Sequence, residues 1–289
     1  MSSLRIETFY DKKTYTLTYL VFDSSSHDAI LIDPVLNYDN ASSTTSMESV
    51  NEVAFYIKEN KLNLHYILET HAHADHLTGA LELKKLFPHA KVAIGEGIKL
   101  VQSVFKEVYN ESGWKTDGSQ FDLLLNDNDQ ISAGTFVVKT ISTPGHTPAC
   151  VSYLIEDRLF TGDALFMPDY GTGRCDFPKG SATDLYESVH GKLYSLPDET
   201  KFYPGHDYQP GGRELKFEST IGESKRENIQ LKDNTTKDEY VEFRTARDAK
   251  LNAPMLLLQS IQVNVNGGVF PSAENNGVSY LKIPVKFKE

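Results

Sequence analysis

The segment "LETHAHADHLTGA", Leu68 to Ala80, places His71, His73, Asp75 and His76 within six residues, directly after an apolar run. So many imidazole nitrogens and carboxylate oxygens at one point require a buried strand that ends in a turn and aims them into one pocket. A spacing of two puts His71 and His73 on the same side of an extended segment. A turn at Ala74 then lets Asp75 and His76 open the next helix, facing the same pocket. Strand C-terminal ends are where α/β folds gather their sites. The plainer alternative, histidines grouped on a solvated loop, leaves the ligand-like spacing without a reason.

Three later segments repeat the arrangement one residue at a time. "STPGHTPA" carries His146 after the strand "FVVKTI", "FTGDALF" carries Asp163 after Gly162, and "YPGHDY" carries His206 after the strand "KFYP". Each sets a metal-capable side chain on a Gly- or Pro-shaped turn beyond a strand. One such turn is an ordinary loop; three of them behind the first cluster point to a metal centre. His27, His65, His89 and His190 lack this context and read as surface or helix-end residues.

Around these motifs the chain alternates strands and helices without an internal repeat. "TYTLTYLVF", "AILIDP", "LHYILET" and "KVAI" read as strands, the second stopped by proline. "MESVNEVAFYIKENK", "HLTGALELKKLF" and "GIKLVQSVFKEVYN" read as helices. The polar stretch "NASSTTSMES" reads as a loop leading into the first helix, with Ser46 as its N-cap. From Phe121 the pattern turns mainly to strands ("FDLLL", "GTFVVKTIST", "CVSYLIED", "RLFTGDAL"). Helices follow from about Ser181 to Tyr194, Glu223 to Lys232 and Lys237 to Lys250. Two halves of strands followed by helices suggest packed sheets with helices outside. No Pro/Gly-rich linker divides them, so residues 1–289 read as one domain, with a core over about 5–232 and a C-terminal helix and tail over about 233–289.

Composition narrows the partners. A net charge of −11 with no Lys/Arg stripe argues against nucleic acid. No apolar run approaches a membrane span, and "MSSLRIETFYDKK" has neither a signal-peptide core nor a transit-peptide composition, so a cytoplasmic location is expected. Two cysteines, Cys150 and Cys175, are too few for a disulfide scaffold, although the two would pair if they met in space.

The ordered set HxHxDH, His, Asp, His resembles the metallo-β-lactamase superfamily from about Tyr15 through Tyr208. The resemblance implies an α/β fold, an αββα sandwich of two mixed β-sheets flanked by helices, with a C-terminal extension. In dinuclear members one metal would take His71, His73 and His146, the other Asp75, His76 and His206, with Asp163 bridging. The segments "ETHAHADHLTGA", "TPGHTPAC", "TGDALF", "GTGRCDF" and "YPGHDY" look more specifically like the persulfide dioxygenase branch, the sulfur dioxygenases of the ethylmalonic-encephalopathy-protein type. That branch implies one Fe(II) per chain on His71, His146 and Asp163, a facial triad that leaves positions for sulfur, O₂ and water. His73, Asp75, His76 and His206 would then orient ligands and water. The implied reaction converts glutathione persulfide, O₂ and water to glutathione and sulfite.

The same resemblance implies that Arg174 binds a substrate carboxylate and that Tyr208 lies at the substrate and iron, in a binding and catalytic role. Cys175 beside Arg174 is either a reactive thiol or a small buried residue, and Thr172 stands where some members carry cysteine. "EFRTARDAKLNAPMLLLQSIQVNVNGGVFP" and "NGVSYLKIPVKF" form a longer tail, similar to bacterial members implicated in sulfide detoxification. The tail would close the pocket, form a homodimer contact or alter the accepted thiol, so a low-molecular-weight persulfide is the safer substrate class. A functional link to a rhodanese or a sulfide oxidase is a further expectation.

The competing enzyme is a dinuclear zinc thioester hydrolase similar to glyoxalase II, which would use the same seven ligands. Against it, the sequence shows no C-terminal basic pattern of the glyoxalase II kind. A non-enzymatic metal-stabilised module is disfavoured because closed zinc sites draw on cysteine, whereas this motif offers His and Asp.

Overall fold

In the strand Asp28–Ile32, Ala29 and Leu31 pack into one apolar cluster while Ile30 and Ile32 pack into another. Side chains alternate across a strand, so a strand apolar at every position has to be covered on both faces. The same split recurs in the second half of the chain, where Leu159 and Phe202 face one cluster and Phe160 and Tyr203 the other. These alternations dictate four layers, helix, sheet, sheet and helix.

The computed structural model describes residues 3–285 and 287, and the remaining ends of the expected domain, residues 1, 2, 286, 288 and 289, lie outside the described residues. The first half supplies β1 (Leu4–Asp11), β2 (Thr16–Asp23), β3 (Asp28–Ile32), β4 (Val35–Asp39) and β5 (Thr44–Ser46). It continues with α1 (Glu48–Glu59), β6 (Asn63–Leu68), β7 (Leu77–Thr78), α2 (Ala80–Leu86), β8 (Lys91–Gly95), α3 (Ile98–Tyr109) and β9 (Leu123–Leu125). The second half adds β10 (Gln130–Ala133), β11 (Phe136–Ser142), β12 (Val151–Ile155), β13 (Arg158–Gly162), α4 (Ala182–Tyr186), β14 (Lys201–Pro204) and β15 (Ser219–Thr220). It ends with α5 (Ile221–Glu227), α6 (Lys237–Asp248) and α7 (Leu257–Asn264).

One six-stranded sheet runs β1-β2-β3-β6-β8-β9, antiparallel through β3 and parallel beyond it. The other runs β10-β11-β12-β13-β14-β15, antiparallel except for the β13–β14 pair. Tyr19, Val21, Leu68, Val138 and Tyr153 fill the space between the sheets. Helices α1, α2, α3 and α7 cover the first sheet, through residues such as Val53, Leu83, Phe105 and Ile261. The second is covered by Leu185, Val189, Ile221 and Tyr240. This is the αββα sandwich expected from the sequence, and it places the ends of β3, β6, β11, β13 and β14 along one edge. Backbone bonds stitch that edge, among them Leu17 N–H to Gly205 O (2.8 Å), Gly205 N–H to Gly162 O (2.9 Å) and Val151 N–H to Thr70 O (2.9 Å).

Several local expectations are corrected. The polar stretch after Asp39 folds as the β4–β5 hairpin, and Ser46 ends β5 instead of capping α1. Asn37 supplies that cap from outside, its Oδ1 accepting the Ser49 N–H at 2.8 Å. Asp75 and His76 do not open a helix: Leu77 and Thr78 first pair with β4, and α2 begins at Ala80. "FDLLL" contributes β9 to the first sheet, pairing with β8. The helix expected through Tyr194 loosens into a π-helical stretch at Glu187–Lys192 and tightens to 3₁₀ at Leu193–Ser195. The helix expected over Glu223 to Lys232 is shorter and starts earlier, because Thr220 caps it and Asn228 ends it. The tail carries a second helix, α7, whose apolar residues close over the first sheet.

Helix α7 also holds the metal motif in place. Asn264, buried at its end, donates to the carbonyls of His73 (2.7 Å) and His76 (2.8 Å) and accepts the Thr78 N–H (2.9 Å). Asn264→Ala would orphan three buried backbone groups, and chemical denaturation is expected to show a loss of about 2–4 kcal/mol. A change below about 1 kcal/mol would mean that these bonds do not brace the loop.

Candidate metal centre

Three of the rings at the centre, His71, His146 and His76, have one nitrogen held by a protein partner. Thr70, at the end of β6, donates its hydroxyl proton to Asp33 Oδ2 (2.7 Å), so it accepts from His71 Nδ1 (3.0 Å). His71 Nε2 therefore carries a lone pair, and it is buried with no hydrogen-bond partner. Nδ1 of His146 lies 2.7 Å from the Arg174 carbonyl, which can only accept, so Nδ1 carries a proton and Nε2 is the nitrogen left for a metal. Thr14 donates to Asp11 (2.7 Å) and so accepts from Thr16 (2.7 Å), leaving Thr16 to receive His76 Nδ1–H (3.2 Å). His76 Nε2 is likewise buried and unpartnered. His73 Nε2 sits 3.0 Å from Asp33 Oδ1 and 3.6 Å from Glu69 Oε2, while its Nδ1 is unpartnered.

Backbone conformation makes these approaches possible. Asp33 has φ +50°, a left-handed conformation that aspartate tolerates, and its Oδ1 also accepts the Thr70 N–H at 2.7 Å. Gly162 has φ +49°, and a Cβ there would sit 2.5 Å from Thr70 Oγ1. At Gly145 (φ +140°) a Cβ would strike the Leu185 backbone at 2.4 Å, so the turn before His146 needs glycine.

The free atoms converge. His71, His146 and Asp163 offer ligand atoms all within 4.8 Å of one another, as do His73, Asp75 and His76, and also Asp33, Glu69 and His73. Asp163 stands between the first two groups, its Oδ2 3.5 Å from His146 Nε2 and its Oδ1 3.5 Å from His206 Nε2. His206 Nε2 is also 3.4 Å from Asp75 Oδ2. The structure thus gathers all seven residues singled out in the sequence. Unpartnered buried lone pairs, with carboxylates beside them, fit a metal cation.

Burial drives the electrostatics. It holds His71 and His73 well below the ordinary imidazole range, with neighbouring histidines adding to the effect. Burial raises Asp163, and it raises Asp33 to about 6 although the Thr70 bonds pull the other way. Such carboxylates call for a cation. Burial also disfavours a charged ring at His206, but Asp163 and Asp75 outweigh it and lift the ring above its ordinary value.

Arg174 and Tyr208 line a cavity of about 740 Å³ that reaches Asp75, His146 and Asp163. The Arg174 fork is engaged by Asp176, with Nη2 to Oδ2 at 2.6 Å, and Nη1 donates to the Asn252 carbonyl (2.7 Å). Tyr208 stacks on His206 (5.4 Å between ring centroids) and on Tyr170 (4.7 Å). Burial holds its hydroxyl well above the ordinary tyrosine range. Both cysteines are free and buried; burial lifts Cys150 to about 12 and Cys175 higher, so Cys175 is a packed residue and not a reactive thiol. Thr172 shares a bond with the Tyr240 hydroxyl (2.7 Å). Of the other histidines, His27 and His89 are exposed, His65 is half-buried against Asp28 (2.6 Å), and His190 lies in the π-helical stretch.

Residues 12–206 match the model of the metallo-beta-lactamase superfamily. The chain belongs to that superfamily. It is 50% identical over 285 residues to Glyoxylase B2 of Dictyostelium discoideum, across 98% of this chain and 97% of that one. It is 38% identical over 205 residues to the mitochondrial persulfide dioxygenase ETHE1 of Mus musculus, across 70% of this chain and 68% of that one. The crystal structure of ETHE1 from Myxococcus xanthus superposes with a TM-score of 0.74 at 31% identity, covering 92% of this chain and all of that one. Superfamily members are metal-dependent, and the donor set here agrees with that.

Sequence reasoning missed the groups behind the ligands. Asp33 is the legible one, an acid at the end of an otherwise apolar strand. It also missed two C-terminal arginines, Arg244 and Arg247 of α6, which line the cavity.

Asp33 supports His71 through Thr70 and His73 directly. Asp33→Asn, which supplies donors where acceptors are needed, is expected to weaken metal binding about 10- to 100-fold in a chelator competition. Unchanged affinity would remove Asp33 from the centre. A metal on the Asp75–His206 side has to displace a proton once the pH falls below the raised His206 value. Zinc titration of the metal-free protein should therefore show that side weakening up to about tenfold per pH unit as the pH is lowered through the raised His206 value, and equal occupancy above and below it would refute it.

Proposed function

We propose that this chain is an Fe(II)-dependent persulfide dioxygenase that oxidises a low-molecular-weight persulfide, such as glutathione persulfide, with O₂ and water to sulfite and the thiol. The observation that carries the reading is the grouping of His71, His146 and Asp163 at the inner end of a cavity large enough for a peptide-sized carrier. Two imidazoles and one carboxylate suit a single ferrous ion, one per chain. When bound, Fe(II) supplies redox chemistry with O₂ and positions open to sulfur and water.

The chain's own residues do the rest. His73, Asp75, His76 and His206 orient ligands and water behind the triad. Tyr208, whose hydroxyl keeps its proton, serves as a hydrogen-bond donor at the substrate, and the stacked Tyr170 and Tyr208 rings, with Phe166 edge-on to them, restrict water. Arg174 receives a substrate carboxylate by exchanging it for Asp176. The relatives that carry the persulfide dioxygenase name support the reading.

A second reading, a thioester hydrolase with a Zn(II) pair, draws on Asp163, whose two oxygens face His146 and His206, and on the relative named Glyoxylase B2. In either case the proposal is a cytoplasmic, single-domain enzyme acting on a small molecule, with neither nucleic acid nor membrane as partner. No helix among the described residues is long and apolar enough to cross a membrane. A homodimer and a functional link to a rhodanese or sulfide oxidase complete the proposal.

Purification without oxygen, followed by metal analysis and addition of glutathione persulfide and air, is expected to give one iron per chain, oxygen uptake and sulfite. Two zinc ions per chain, no oxygen uptake and rapid cleavage of S-lactoylglutathione would establish the hydrolase instead.

A further inference from the structure

Sulfane sulfur and O₂ occupy little of a 740 Å³ cavity, so most of it is there for whatever carries the sulfur. Four cations line it, Lys13, Arg174, Arg244 and Arg247. Two of them, Arg174 and Arg244, are committed to protein partners. Arg174 is closed on Asp176 and Asn252. Arg244 is fully buried and committed to Asp248, Gln230 Oε1 (2.9 Å) and the Thr172 carbonyl (3.2 Å). Lys13 lies near Asp39, whose carboxylate is lowered first by the Ser42 and Ala41 N–H groups and then also by Lys13.

Arg247 differs. It is half-buried in the cavity wall, where its one side-chain partner is the neutral Tyr170 hydroxyl, and it forms no ion pair among the described residues. Its placement is firm, because residues three apart share a helix face and Arg244 bolts that face of α6 to the Thr172 loop. Asp248, the next residue, accepts the Cys175 N–H at 2.7 Å from the same loop. A guanidinium held half out of water with no counter-ion is a fork for a planar anion.

Resting on the reading that the cavity takes a thiol-borne substrate, we infer that Arg247 binds a carboxylate of the carrier thiol. Helix α6, outside the metal-bearing motifs, thereby sets which persulfide is accepted.

The test is calorimetric binding of S-methylglutathione, which lacks the reactive sulfur, to the metal-loaded wild type, Arg247→Met and Arg247→Lys. Methionine keeps the aliphatic packing and removes the fork. It is expected to weaken binding roughly 10- to 100-fold, the range for a charge-assisted hydrogen bond, with lysine recovering part. The dimethyl ester of the same ligand should bind wild type and Arg247→Met alike. No binding by the wild type, equal binding by Arg247→Met, or an equal deficit on the ester would each overturn the assignment. Sulfite production is assayed separately. A wild type that binds through Arg247 yet makes no sulfite refutes the dioxygenase and leaves this inference standing. Sulfite formation with KM unchanged in Arg247→Met refutes the inference alone.

Discussion

The commitment of the outer nitrogens of His71, His146 and His76 to protein acceptors is the interaction on which the centre depends. Buried histidines with both nitrogens free would be ambiguous in tautomer and orientation. Here Thr70 and Asp33, Thr16 and Thr14, and the Arg174 carbonyl settle the proton on the side away from the pocket. The lone pairs that remain face inward, where burial keeps His71 and His73 unprotonated. Asp33 is the hub, because one carboxylate serves both Thr70 and His73.

The C-terminal segment is a structural part of this centre. Asn264 of α7 braces the loop that carries His73, Asp75 and His76. Arg244 and Asp248 of α6 brace the loop whose Arg174 carbonyl holds His146. Ligands from both sheets are thus steadied by helices that come last in the chain, and α6 with the segment after it also lines the cavity.

Relatives named as persulfide dioxygenase and as Glyoxylase B2 both align with this chain, so similarity alone does not divide the two activities. Ferrous and zinc chemistries diverge through the number of ions held and the position left for O₂. Farther out, the cavity is lined by aromatic rings and cations that the metal motifs do not include.

Much of the centre is legible along the chain because metal ligands are few in kind and sit on Gly- and Pro-marked turns after strands. Period-two apolarity likewise announces the strands and hence the layering. Ser46 misleads because capping preference is local, whereas Asn37 reaches the helix end across a hairpin. His76 misleads because strand pairing with β4 outweighs helical spacing. The sequence by itself determines which side chains can bind a metal and the order in which strands deliver them. Only the tertiary structure decides the protonation of each ring, the bracing by Asn264 and Arg244, and the exposure of Arg247 to the cavity, because those depend on groups brought together from distant parts of the chain.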